Sequence, residues 1–168
     1  MSDFNLKLNI DSIRDGDRFD LVADDSERTA IARRLGLANL FRLEAHATLE
    51  RNGDTIRAQG RLQASLEQSC VVTGDPVSSH IDEAFELLFM PEPKAVPDDD
   101  VELSLEDCDV VFHDGSTIEL GTAIADTLAL GVDSYPRSAG ADAALKEAGV
   151  LSEAEAGPFA ALAKLKRD

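Results

Sequence analysis

Apolar and polar residues alternate from Leu40 to Leu66, and this stretch predicts a long hairpin. Phe41, Leu43, Ala45, Ala47 and Leu49 alternate with Arg42, Glu44, His46, Thr48 and Glu50. Beyond Asn52-Gly53 the alternation resumes with Ile56, Ala58, Gly60, Leu62, Ala64 and Leu66. Asn-Gly favours a two-residue turn, because both central positions need positive φ. Such a turn pairs Arg51 with Asp54, Leu49 with Ile56, Leu43 with Leu62 and Phe41 with Ala64, and it gathers the apolar residues on one face. On the other face Glu44 lies opposite Arg61, while Arg42 and Arg57 stay exposed. A hairpin apolar on one side only needs a cover.

The same reading places the other elements. Phe4 to Ile10 alternates and predicts a short strand, the Asp/Gly/Arg-rich stretch from Asp11 to Arg18 is a loop, and Phe19 to Val22 is a second short strand. Ser26 has the chemistry of a helix N-cap and Gly36 that of a stop, which bounds a short helix carrying Arg28, Arg33 and Arg34. Cys70 to Pro76 is a break, and His80 to Met90 is a strand with Ile81, Phe85, Leu87 and Phe89 on one side. Lys94 to Glu106 reads as a flexible acidic loop. Asp109 to His113 is a strand ended by a turn at Asp114-Gly115. A helix from about Glu119 to Leu130 supplies the cover, with Leu120, Ala123, Ile124, Thr127 and Leu128 at helical spacing. Beyond Tyr135-Pro136, a weak helix over Ala141 to Ala148 and an apolar face of Phe159, Leu162 and Leu165 complete the chain. Together these predict an α+β fold: one domain over residues 1–137, then a mobile tail over 138–168 ending in a short docking segment.

Charge changes the picture. The net charge is −17, and it is unevenly spread. Met1 to Glu67 has 10 Lys/Arg against 12 Asp/Glu, and the remainder has 6 against 21. Only Arg28 to Arg61 is locally basic, with seven Arg against Glu44, Glu50 and Asp54. Affinity for a phosphate backbone comes largely from Lys/Arg, so most of this surface repels nucleic acid and favours a basic protein as partner. With no Trp and one Tyr, the chain also lacks the aromatic stock for base stacking. No apolar run approaches the roughly 20 residues needed to cross a bilayer. The N-terminal residues lack the pattern of a signal peptide, and two cysteines give no sign of an oxidising compartment. The expected location is the cytoplasm.

Candidate chemistry is sparse. Cys70-Val71-Val72-Thr73 has Thr where a second thiol would complete a metal pair, and Cys108 with His113 has no second pair at zinc spacing. Asp98-Asp99-Asp100 with Glu102 lacks the glycine and late Glu of a calcium loop and reads as a solvated acidic segment. No nucleophile turn or phosphate loop is present, so neither an enzyme nor a cofactor is expected. An uncharacterised hydrolase would need carboxylates gathered in a pocket. The candidate phosphate patch is Arg28, Arg33, Arg34, Arg42, Arg57 and Arg61. The preferred reading of it is a solvated face neutralised by nearby carboxylates, and a direct RNA-binding module is the alternative.

Cys70-Val71-Val72-Thr73-Gly74-Asp75-Pro76-Val77, the strand with Phe85 and Phe89, Asp114-Gly115 leading to Ile118-Glu119-Leu120, Leu128-Ala129-Leu130 and Tyr135-Pro136-Arg137 occur in a particular order. With Pro158 to Lys166 at the end, that order resembles the bacterial YceD-like family, the large ribosomal RNA subunit accumulation proteins. The resemblance implies a non-enzymatic factor supporting synthesis, processing or stability of large-subunit ribosomal RNA. Many members carry Cys-x-x-Cys after the hairpin; Thr73 here departs from it, which leaves no thiol pair for a metal or redox role. Cys70, Pro76, Gly115, Leu120, Tyr135, Pro136 and Arg137 match the family pattern as candidates for structure or interaction. The expected partner is a basic ribosomal protein or assembly factor, with ribosomal RNA reached indirectly and neither a membrane nor a small-molecule ligand involved.

Overall fold

A computed structural model describes residues 2–92 and 109–150. Among these residues eight strands and three α-helices follow in the order β1 (Ser2–Asp3), β2 (Lys7–Asn9), β3 (Asp17–Val22), α1 (Asp25–Leu35), β4 (Asn39–Asn52), β5 (Thr55–Ser69), β6 (Pro76–Pro91), β7 (Asp109–His113), β8 (Thr117–Glu119), α2 (Leu120–Gly131) and α3 (Ala141–Glu147). A six-stranded sheet has the order β1-β3-β4-β5-β6-β7, and β2 pairs with β8 separately. Pairing is mostly antiparallel, with β1 parallel to β3 and β6 parallel to β7. The fold is α+β, as the alternation and the helical spacing predict.

The hairpin of β4 and β5 dominates the larger of two compact units, which comprises the chain to Glu67 and Ser78–Asp133. Its inward residues Leu43, Leu49, Ile56, Ala58, Leu62 and Ala64 are fully buried. They share one core with Ile31 of α1 and Leu120, Ile124 and Leu128 of α2, so both helices cover this face. Burying one such Leu or Ile side chain contributes about 1.5–3 kcal/mol, which makes this shared face the main source of stability.

The register differs from the expected one. Asn52 pairs with Thr55, Leu49 with Ala58, Ala45 with Leu62 and Glu44 with Gln63, so the turn residues are Gly53-Asp54 rather than Asn52-Gly53. Gly53 takes φ 64 at the first central position, which glycine tolerates without strain. Moving the turn by one residue moves every cross-strand partner by two, so each apolar residue keeps its face and alternation alone cannot separate the two registers. A distant contact favours the observed turn: the ring of His113 hydrogen-bonds the Asp54 carbonyl at 2.8 Å. Near the other end, an irregularity between Leu40 and Arg42 buries Leu40 and leaves Phe41 55% exposed, not in the core as the alternation predicts.

The N-terminal region also departs from expectation. The strand expected over Phe4 to Ile10 is only Lys7–Asn9, followed by a 3-10 turn over Ile10–Ser12. Phe4 is buried, and the backbone N–H groups of Phe4 and Asn5 donate to the Glu27 carboxylate at 3.2 and 2.9 Å. The N-cap of α1 is Asp24, not Ser26: its carboxylate accepts the Glu27 N–H at 2.8 Å, and Glu27 accepts the Asp24 N–H at 2.9 Å. This reciprocal box satisfies two otherwise unpaired donors. Gly36 ends α1 with φ 67, as expected.

The second unit comprises Gln68–Val77 and the chain from Ser134. Its described residues are the turn around Cys70, the Tyr135-Pro136-Arg137 segment and α3.

Candidate functional site

The outer face of the sheet carries the hairpin arginines. Inward alternation leaves Arg42, Glu44, His46, Arg57 and Arg61 pointing away from the core, and carboxylates from neighbouring strands meet them. Arg61 on β5 bonds Asp82 on β6 at 2.5 Å, and Arg57 pairs with Glu86 at 2.6 Å. Arg42 pairs with Glu44 at 2.6 Å. His46 lies opposite Arg61 and bonds Asp20 of β3 at 2.6 Å, so Asp20, His46, Arg61 and Asp82 form a row across four strands. The arginines hold the Asp82 and Glu44 carboxyls below the usual range, chiefly through these hydrogen bonds.

The helix arginines lie in a different layer, on α1. Arg28 pairs with Asp25 and donates to the Ala23 carbonyl at 2.7 Å, and Arg34 pairs with Asp126 of α2 at 3.0 Å. Five of the six patch arginines thus face carboxylates. Among the described residues Arg33 has no such ion pair. Exposed pairs of this kind add little stability, but each neutralises a charge that phosphate would need.

The residues matching the YceD-like pattern fall in two places. Gly115 and Leu120 belong to the larger unit. Gly115 takes φ 90 in the turn after β7 and donates its N–H to His113 Nδ1 at 3.0 Å. Nδ1 accepts that bond, so Nε2 carries the proton given to Asp54. In the same turn Asp114 Oδ1 accepts from the Ser116 N–H and hydroxyl at 2.8 and 2.7 Å and from the Thr117 N–H at 3.2 Å. These bonds, those to Ser116 first, push the Asp114 pKa down to about 2. Leu120 opens α2 and is wholly buried.

Cys70, Pro76, Tyr135, Pro136 and Arg137 belong to the second unit. The Cys70 turn closes through its N–H to the Asp75 carbonyl (2.7 Å) and the Gly74 N–H to the Cys70 carbonyl (2.9 Å). The Val71 N–H donates to the buried Pro136 at 2.9 Å, which ties the turn to the Tyr-Pro-Arg segment. Tyr135 is 76% exposed, and Arg137 pairs with Asp142 of α3 at 3.2 Å. Cys70 is a free, buried thiol, and its Sγ accepts the backbone N–H groups of Ser138 at 3.3 Å and Thr73 at 3.5 Å. These bonds, Ser138 first, lower its pKa to about 6 against the opposing effect of burial. The Thr73 hydroxyl, where many members have a thiol, bonds Asp75 at 2.6 Å and lies 3.1 Å from the Ser138 hydroxyl.

Among the described residues, no three or more His, Cys, Asp and Glu side chains gather as a metal site. No described helix is long and apolar enough to cross a membrane. Several expected features lie outside the described residues: Asp98-Asp99-Asp100 with Glu102, Cys108, and the docking segment with Phe159, Leu162 and Leu165. Sequence reasoning missed the role of Glu27, although Asp24-Asp25-Ser26-Glu27 carries the spacing of a capping box. It also missed Ser138, which has no local signal because its role depends on a loop 68 positions earlier.

Comparison with curated proteins and with solved structures gave no match. Comparison with protein families matched YceD, the large ribosomal RNA subunit accumulation protein, over residues 58–166. That match runs from within β5 past α3, including the Cys70 turn, the Asp114-Gly115 turn and Tyr135-Pro136-Arg137, and by it the chain belongs to the YceD family.

Proposed function

We propose that the chain serves in accumulation of large-subunit ribosomal RNA, the role to which its family description points. It does so without catalysis, in the cytoplasm, by binding a basic ribosomal protein or assembly factor rather than RNA itself. The observation that carries this reading is that the arginines, split between the outer face of the sheet and α1 rather than gathered in one patch, are already neutralised. In the one basic stretch of a −17 chain, Arg28, Arg34, Arg42, Arg57 and Arg61 already face carboxylates. A phosphate backbone would have to displace those carboxylates, whereas a basic protein meets a surface already dominated by acid. Binding a basic protein keeps its cationic segments from incorrect RNA contacts during assembly. The test is capture of partners by the whole chain at low and high salt, with and without ribonuclease. A ribosomal protein that survives ribonuclease and is released by salt supports the reading, and capture of RNA alone overturns it.

A further inference from the structure

We propose that the edge of β7, without a partner strand among the described residues, and the groove beside it seat an extended basic polypeptide segment by strand addition. This deepens the reading above by naming where the partner docks. β7 is the last strand of the sheet and pairs only with β6 among the described residues. The Glu92 N–H donates to the His113 carbonyl at 3.1 Å, so the residues of β7 in step with His113 bond β6. By the alternation of a parallel ladder, the backbone groups of Val110 and Phe112 face the open side. Soluble proteins blunt such edges with Lys, Pro or a bulge, and Asp109-Val110-Val111-Phe112-His113 has no Lys or Pro. Instead it presents Phe112, 51% exposed.

The adjoining groove has a volume of about 290 Å³, and Val111, Phe112 and Ile118 are among its apolar lining. Its charged lining is Asp114, Glu119 and Asp126 with Lys7. Lys7 is bonded to Glu119 and Arg34 to Asp126, each at 3.0 Å, which leaves the lining one carboxylate in excess. An added strand would place alternate side chains over Phe112 and into the acidic groove, which fits a segment alternating apolar and basic residues. Strand addition supplies main-chain hydrogen bonds, and the carboxylates select Lys or Arg.

The test uses the full chain and a fluorescent peptide of alternating lysine and valine, with alternating glutamate and valine as control, at about 0.15 M salt. The lysine peptide should bind and shift the amides of Val110 and Phe112, and the glutamate peptide should not. Phe112→Pro removes one open-edge N–H and should weaken binding about tenfold. Glu119→Gln should weaken it by a smaller factor, and Glu44→Gln on the other face of the sheet should leave it unchanged. Circular dichroism establishes that each variant is folded. Unchanged binding by folded Phe112→Pro, or shifts confined away from β7, overturns the proposal. So does a concentration-dependent dimer abolished by Phe112→Pro, which would assign the edge to a second copy. If Phe112→Pro still captures a ribosomal protein from cells, the groove is wrong and the functional reading stands. If the wild-type chain binds the peptide at β7 but captures no ribosomal protein, the functional reading fails and the groove stands.

Discussion

Arg61 on β5 bonds Asp82 on β6 at 2.5 Å, and this pair ends a row that begins at Asp20 and holds His46 and Arg61 between two carboxylates. The cation that β5 offers to solvent is therefore already held by the adjacent strand. The chain should bind protein-free ribosomal RNA more weakly than micromolar near physiological salt, as measured by filter binding. Asp82→Asn with Glu86→Gln should release Arg61 and Arg57 and raise RNA affinity, with a steeper dependence on salt.

Glu27 should matter more than its position in a surface helix suggests. Its carboxylate accepts the N–H groups of Phe4, Asn5 and Asp24, and it is only 8% exposed. Glu27→Ala strands these donors, so we expect a loss of about 2–3 kcal/mol in chemical denaturation, with Glu27→Gln losing less.

Gly121 should not tolerate a side chain. A Cβ there would lie 1.5 Å from the Phe4 carbonyl oxygen and 2.6 Å from its carbon, a backbone contact that cannot rotate away. Gly121→Ala should cost about 1–3 kcal/mol or more, seen as a lower melting temperature.

Cys70 should impose a pH dependence of known sign. Its folded pKa is lowered from 9.0 to about 6, so the thiolate is favoured in the folded chain. A depressed acid contributes stability that is fully present above the unfolded pKa and is lost as pH falls toward the folded value. The difference in melting temperature between the wild type and Cys70→Ala should therefore grow from pH 6 to pH 9. A difference that stays flat across that window would show that the Ser138 and Thr73 bonds do not hold a thiolate.

Much of this architecture was legible in the sequence, for identifiable reasons. The hairpin, β7 and α2 follow from local periodicity, which records which residues face the core. The register does not, because Gly53-Asp54 and Asn52-Gly53 give the same facing and a contact from His113 distinguishes them. Phe41 turns outward because a local irregularity resets the alternation. For the candidate site, the arginines could be named but not their partners, since Asp82 and Glu86 come from another strand. Likewise the motif order linked Cys70 to Tyr135-Pro136-Arg137 only as a list. The Val71 N–H to Pro136 bond, which joins them in space, is tertiary.

The pairing of β2 with β8 sets the timing of folding. Lys7 and Glu119, bonded across it, are 112 residues apart in the chain. At about 5–20 residues per second, β2 waits some 5–20 s during synthesis before its partner has been made. The Glu27 bonds to Phe4 and Asn5 can form early, but the pairing that completes this end of the fold cannot. A nascent chain stopped before β8 keeps Leu8 and its neighbours without their partner strand, exposed to chaperones and proteases. This end of the fold is thus complete only after synthesis has passed Glu119.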